Sequence, residues 1–283
     1  MAVAQELEPR AYSNAPIGTS FAIAGYTRLS GPVLPSPSLA AIDIDARVDI
    51  YTLGYARFLD VFGRTSSFTV VVPYANADLR GSVGENSREI HRAGIGDVYL
   101  RGAINLFGHP ALKPPEFALR PDVLAGGASL TVLAPTGQYE PSRLVNVGTN
   151  RWAVKPDIGV SYPIGRWFME AAAGVWHFTD NDDFRGDRRR SQEPLAVYQL
   201  HGGYSFRPGL WLAADYGRYV GGRTAVDGAP NDDEQHNSRV GLALSLPVGR
   251  GWSTKLAYSK GTVVRVGGDY RIASIAVQYR WFD

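Results

Sequence analysis

The sequence predicts an all-β fold, a single-domain 12-stranded antiparallel transmembrane β-barrel, on three observations. Apolar and polar residues alternate with period two while helical periodicity is scarce. The alternating runs are longer than ordinary soluble strands, and the connections between them switch between tight and long. The clearest run is 42–50, where Ile42, Ile44, Ala46, Val48 and Ile50 share one face and Asp43, Asp45, Arg47 and Asp49 the other. No helix reads that way. A soluble antiparallel sheet also alternates, with its polar side in water, so alternation alone does not decide.

Length and turns do. In chain order the runs are 18–29, 42–58, 66–80, 94–106, 123–134, 152–162, 167–178, 195–206, 210–220, 238–247, 252–260 and 269–282. Twelve is an even number. Most run well past the roughly 5–6 residues of a soluble strand and match the roughly 9–11 needed to cross a bilayer at a tilt. One set of connections is tight, as at Pro163-Ile164-Gly165-Arg166, Arg207-Pro208-Gly209 and 247–251. The other set, 81–93, 135–151, 179–194 and 221–237, is long and polar. Short turns at one end and long loops at the other describe an outer-membrane barrel, and a sandwich has no reason to sort its loops by length. The Pro-rich connection 107–122 is long yet falls on the short-turn side. Tyr162, Trp167, Phe168, Tyr204, Phe206, Trp211, Trp252, Tyr279 and Trp281 sit at strand ends, where an aromatic girdle meets the membrane interface. In the last run Ile275, Val277, Tyr279 and Trp281 alternate with Ser274, Ala276, Gln278 and Arg280. The chain closes on Asp283 rather than on an aromatic residue.

Composition narrows the function classes. Among 283 residues there are 29 basic and 27 acidic side chains, a balance that gives no electrostatic reason to expect nucleic-acid binding. Cysteine is absent, which excludes disulfides, thiolate zinc and thiol catalysis together. No window approaches 18 consecutive apolar residues, so a transmembrane helix is not predicted. Ala2-Val3-Ala4 fits the small-residue box before a signal-peptidase cut, and the expected address is the bacterial outer membrane, with the signal peptide removed. Residues 1–17 are read as an N-terminal periplasmic segment, of which Glu6 to Pro16 has the length and place to enter and plug the barrel. Residues 18–283 are read as the barrel itself.

If the apolar face meets lipid, the polar face lines the lumen. The expected lining is Asp43, Asp45, Arg47, Asp49, Asn76, Asp78, Arg80, Asp97, Arg101, Asn105, Lys155, Asp157, Glu170, Gln199, His201, Asp215, Arg239, Lys255, Gln278 and Arg280. The reasoning is energetic, since an Arg or Lys on the lipid face costs about 2–4 kcal/mol at the midplane. The two signs are similar in number, which predicts cross-lumen ion pairs rather than strong ion selectivity. Pairs that merely brace the barrel are the alternative.

Enzyme chemistry has little to stand on. None of the histidines His91, His109, His177, His201 and His236 has a partner at metal-ligand spacing, and no metal or cofactor is expected. His236-Asn237-Ser238 places a histidine and a serine two apart near a rim, which raises a hydrolase as a rival. The stretch 179–187 resembles a calcium loop, but counting from Asp180 its glycine falls at position seven and Phe184 occupies a ligand position. Arg188-Arg189-Arg190 could meet lipopolysaccharide phosphates, or simply be a solvated loop.

Long motifs carry a resemblance. Glu8-Pro9-Arg10-Ala11-Tyr12-Ser13-Asn14-Ala15-Pro16-Ile17-Gly18 is similar to the start of a bacterial outer-membrane transporter family named for a meta-pathway of phenol degradation. The stretches 130–139, 146–152, 221–228, Asn237-Ser238-Arg239 and Tyr279-Arg280-Trp281-Phe282 fit it too. The resemblance implies an outer-membrane barrel admitting small aromatic or other hydrophobic compounds, and it supplies no catalytic residues. The expected function is a channel for passive uptake of such solutes. The expected partners are outer-membrane lipid and lipopolysaccharide, the barrel-assembly machinery during biogenesis, and the small-molecule solute, with no nucleic acid. A non-conducting scaffold barrel, a rim hydrolase and a soluble all-β binding protein are the alternatives.

Overall fold

The structure, a computed structural model, describes residues 9–13, 15–34, 41–83, 86–121, 123–143 and 145–282, of which 41–43, 83, 86 and 87 as backbone only. Twelve antiparallel strands form the wall. They are β1 (Thr19–Leu34), β2 (Ala41–Val61), β3 (Arg64–Val83), β4 in two pieces (Asn86–Ile95 and Val98–Phe107), β5 (Ala125–Ala134) and β6 (Ala153–Ile164). After them come β7 (Trp167–Phe178), β8 (Leu195–Arg207), β9 (Leu210–Gly221), β10 (Gln235–Pro247), β11 (Trp252–Val263) and β12 (Arg271–Phe282). Each pairs with its neighbours in sequence. The first strand then pairs with the last from Thr19↔Phe282 to Ser30↔Arg271, so the wall closes; the upper piece of β4, Asn86–Ile95, rises beside β3 as its single partner.

Besides several bulges, the ladder has a break between the pieces of β4. Above it Tyr74 pairs with Ile95, and below it Val71 pairs with Tyr99. Pro73 stands opposite and has no N–H to offer, so the ladder loses a rung there, and Gly96 recovers one bond by donating to the Pro73 carbonyl at 2.8 Å.

The outer face carries the apolar band, with Leu53, Leu130, Ile158, Met169, Leu200 and Leu242 all exposed. Leu200→Arg at the middle of β8 is expected to cost about 2–4 kcal/mol of stability in lipid vesicles, measured by reversible urea unfolding. A cost near zero would show that this face does not meet lipid. At the short-turn end the outer aromatics touch in pairs, Trp167 with Tyr204 at 4.9 Å and Trp252 with Tyr279 at 4.8 Å. Phe168 and Trp211 are corrections to that girdle. Both are buried and pack edge to face at 6.0 Å, because the pleat turns them inward.

A larger correction concerns β1 to β3. They run 16, 21 and 20 residues, well beyond the roughly 9–11 that span a bilayer, and the excess rises above the others on the long-loop side. Tyr26, Tyr51 and Tyr74 stand side by side across these strands on the outer face. Above that row the outer face is charged. Arg28 holds Asp49 at 2.7 Å, His91 holds Asp78 at 2.7 Å, and Arg80 holds Glu89 at 2.9 Å. Arg47 lies opposite Asp78 and Asp45 opposite Arg80. Asp45, Arg47, Asp49, Asn76, Asp78 and Arg80, expected in the lumen, are therefore on the outside of the barrel. Beyond the lipid that face meets water, where a charge costs little and the apolar row gains by turning in. Val48, Ala75 and Ala77 accordingly pack with Val147, flanked by Leu29, Ile50 and Leu79. The side chain of Asp43 lies outside the described residues.

Both ends are dressed. On the long-loop side, Asn181–Phe184, Arg188–Gln192, Thr224–Val226 and Ala229–Pro230 form a small four-stranded sheet, braced by Arg188 on Asp227 at 2.7 Å and Arg223 on Glu234 at 2.7 Å. On the other side the 108–124 connection contains a short helix, α1 (Pro114–Leu119), started by two prolines and by Glu116 accepting from the Lys113 N–H. This connection accounts for the misplaced long loop. Its Leu112 carbonyl accepts from the Ile17 N–H at 2.9 Å, and its Ala111 N–H donates to the Gly63 carbonyl at 3.0 Å. It thereby fixes the chain just before β1.

Candidate functional site: the barrel lumen

The lumen has two halves of different character. The half nearer the short turns is occupied by residues 9–13. Pro9 and Tyr12 are buried within it. The Arg10 N–H and the Ser13 hydroxyl both donate to the Glu170 carboxylate, the latter at 2.8 Å. The Arg10 guanidinium lies over Phe168 at 4.7 Å and Trp211 at 5.6 Å. Tyr12 sits under the Arg101 guanidinium, 5.4 Å away, and its ring rests against Gly159, where a Cβ would come within 2.3 Å of it. Glycine at 159 is thus a seat for Tyr12 rather than a turn residue.

Around this segment the expected inner residues gather. Asp157 is buried between Lys155 at 3.7 Å and Arg101 at 4.0 Å, and Lys155 also lies over Trp176 at 5.4 Å. Glu170, His201 and Asp215 follow one another across β7, β8 and β9, with His201 Nδ1 2.7 Å from Asp215. Gln199 is buried one inner position from His201. Asn105 and Gln278 are half-buried on inner-face positions, and Arg280 is exposed near the end of β12, 5.1 Å from Phe282. Arg239 is buried and donates to the Tyr270 carbonyl at 2.9 Å, while Lys255 lies 5.9 Å over Trp211.

The other half holds a cavity of about 730 Å³. On the side of β1 to β3 its wall is the apolar inner row, with Leu29, Val48, Ile50 and Leu79. Beyond β12 stand Arg239 on β10 and Lys255 and Ser259 on β11, and loop residues Tyr139, Asn146, Thr149 and Arg151 complete the lining. That loop, the 135–151 connection, is held in place by Asp97 at the break in β4. The Asp97 carboxylate accepts from the Gly137 N–H at 3.0 Å, the Thr149 N–H at 2.9 Å and the Thr149 hydroxyl at 2.6 Å. Close approach is needed on both sides, because a Cβ at Gly137 or Gly148 would collide with the other's backbone. Asp97, expected as a lining residue, is thus a buried anchor. Asp97→Asn keeps the shape but replaces charge-assisted bonds with neutral ones. It is expected to cost about 1–3 kcal/mol locally. The check is faster amide exchange over 136–149 with the barrel strands unchanged, and unchanged exchange would remove the anchor role.

Several site residues carried no sequence signal. Arg151 precedes β6, and its guanidinium donates to Gln192 and lies over Phe178 at 4.5 Å. Burial, and then the nearby charge of Arg190, push its pKa down to about 10. Arg190 is similarly lowered by burial and lies over Phe184 at 5.2 Å. In the run of three arginines, 188 and 189 are exposed and paired with Asp227 and Asp180, whereas 190 turns into the cavity. The serine and histidine of the hydrolase rival have separate partners. Ser238 shares a hydrogen bond with Thr262 at 2.9 Å, and His236 faces Glu234 at 3.6 Å.

The sequence profile described as "Putative MetA-pathway of phenol degradation" matches residues 28–281. Among solved structures, an outer membrane channel from Pseudomonas putida F1 is similar with a TM-score of 0.83 at 20% identity, covering 98% of this chain and 100% of that one. The β domain of the Bordetella autotransporter BrkA is similar at 0.54 and 15% identity, covering 94% and 100%. The transport unit of the autotransporter AIDA-I from Escherichia coli is similar at 0.53 and 8%, covering 99% and 94%. No curated protein sequence matches the chain significantly. The closed barrel, like that of the Pseudomonas putida outer membrane channel, belongs in the bacterial outer membrane.

Proposed function

The chain belongs to the family described as putative MetA-pathway of phenol degradation, and on that premise we propose that it is a channel for passive uptake of small hydrophobic or aromatic solutes. The observation that carries this reading is the cavity of about 730 Å³ in the extracellular half of the barrel, with an apolar row along one wall. Small-molecule sites usually run to roughly 300–1,000 Å³ and combine apolar walls with a few polar groups, which is the composition here. The solute moves down its own gradient; no nucleotide-binding motif is present in the sequence. In this reading residues 1–17 are a segment before the barrel and 18–283 the barrel; the contacts of Arg10, Tyr12 and Ser13 support a lower closure by residues 9–13, while 1–8 and 14 lie outside the described residues.

The test is phenol entry into vesicles whose outer leaflet is lipopolysaccharide, with and without the protein. Entry several-fold faster with the protein is expected, saturating at high phenol. Equal rates, with the barrel shown to be folded in the same vesicles, would contradict the reading.

A further inference from the structure

Charge in the cavity is not balanced as it is in the chain. The full sequence carries 29 basic and 27 acidic residues. Among the described residues that line the cavity, the cations are Arg151, Arg190, Arg239 and Lys255 and the carboxylates Asp215 and Asp233, and Arg239 also has Asp269 nearby. Those two carboxylates are already engaged. Asp215 holds His201 at 2.7 Å, and Asp233 accepts from the Thr224 N–H at 2.7 Å and from its hydroxyl.

Two of the cations stand together at the extracellular mouth. Arg151 Nη1 is buried with no hydrogen-bond partner among the described residues. No described residue accepts a hydrogen bond from the Arg190 guanidinium, whose contacts are the Phe184 ring and the charge of Asp233. Asp97 and Asp180 lie near Arg151, but Asp97 is committed to the 137 and 149 backbone and Asp180 to Arg189. Two like charges brought close and partly desolvated, with donors left over, are costly unless an anion visits them. A planar guanidinium fork suits a carboxylate in particular. Phe178 and Phe184 supply aromatic faces beside the two forks, and the apolar row of Val48, Ile50 and Leu79 lies in the same cavity.

We propose that this cavity binds amphipathic organic anions, with a carboxylate held between Arg151 and Arg190 and an aromatic or aliphatic body against the apolar row. The proposal rests on the channel reading for what happens next, but binding itself does not require conduction. It narrows the solute class to organic carboxylates that carry an apolar body.

Isothermal titration of the detergent-solubilised full chain with benzoate, benzyl alcohol and acetate tests it directly. Benzoate is expected to bind at least about tenfold more tightly than either, because only benzoate combines both halves. Arg151→Gln and Arg190→Gln are each expected to bring benzoate down towards benzyl alcohol. Arg188→Gln, on the same hairpin but outside the cavity and paired with Asp227, is expected to leave it unchanged. Heat-modifiable migration on gels reports whether each variant is folded, and Arg190→Gln, lying outside the barrel wall, keeps the test available if Arg151→Gln misfolds. Equal affinity for benzoate and benzyl alcohol, a benzoate preference that survives both substitutions, or acetate binding as tightly as benzoate would each overturn the proposal. Phenol passage without a benzoate preference would overturn the anion site and keep the channel. Benzoate binding without any passage would do the reverse.

Discussion

Deleting residues 2–13 is expected to raise the single-channel conductance of the refolded barrel several-fold in planar bilayers. Of that segment, residues 9–13 lie in the lower lumen and are held firmly; residues 2–8 lie outside the described residues. Glu170 accepts two hydrogen bonds from it, Arg10 spreads over Phe168 and Trp211, and Tyr12 fits the space that Gly159 leaves. A hydrogen bond to a charged group contributes about 1.5–3 kcal/mol, so two at Glu170 suffice to keep the segment seated most of the time. Two point variants separate seating from bulk. Glu170→Gln weakens the hold and is expected to give a closed channel that flickers open. Gly159→Leu takes the space of the Tyr12 ring, and is expected to displace the segment while the wall stays intact, since strand pairing uses backbone groups alone. The wall of a 12-stranded barrel encloses more room than its own side chains fill, which is why an emptied lumen conducts. Unchanged conductance in the deletion, with the barrel shown to be folded, would mean that the segment closes nothing.

Val48→Asp is expected to be among the most damaging single substitutions, and Arg47→Ala next to it among the mildest. Val48 is 3% exposed and packs on Ala75, Ala77 and Val147. A carboxylate there has no partner and is desolvated, at several kcal/mol, so the folded fraction should fall sharply. Arg47 is exposed on the outer face, and its loss should stay within about 0.5 kcal/mol. Urea unfolding of both variants in the same vesicles reads the difference. If the charged row of β2 lined the lumen, the ranking would be the opposite.

That pair marks where the sequence was legible and where it was not. Period-two alternation located every barrel strand and the even count, because the pleat imposes it whatever lies on either side. It does not say which side is which. Along β2 a single outer face passes from Leu53, in the lipid band, through Tyr51 to Asp49, Arg47 and Asp45 in water. The assumption that apolar means lipid holds below Tyr51 and inverts above it. The signal that could have shown this was length: a run of 42–58 is longer than a bilayer needs, so part of it had to stand outside. In the lower barrel Arg101, Lys155, Asp157, Glu170, His201 and Asp215 turn away from the outer apolar band, towards Arg10, Tyr12 and Ser13. Arg151, Arg190 and the Asp97 anchor were not legible, because loop residues converge through turns that have no period to read. Phe168 and Trp211 lie near strand ends, but their parity along the strand turns them inward.

The absence of cysteine makes one measurement unusually clean, because any thiol introduced is the sole target in the chain. Thr27→Cys lies in the extracellular cavity, and Ala172→Cys lies on the inner wall beneath Tyr12. A membrane-impermeant thiol reagent added to intact cells should label the first readily and the second slowly, and deletion of residues 2–13 should make the second label at a rate close to the first. Rapid labelling at Ala172→Cys in the intact protein would contradict a cavity that opens outward and is closed from below, as would failure to label at Thr27→Cys.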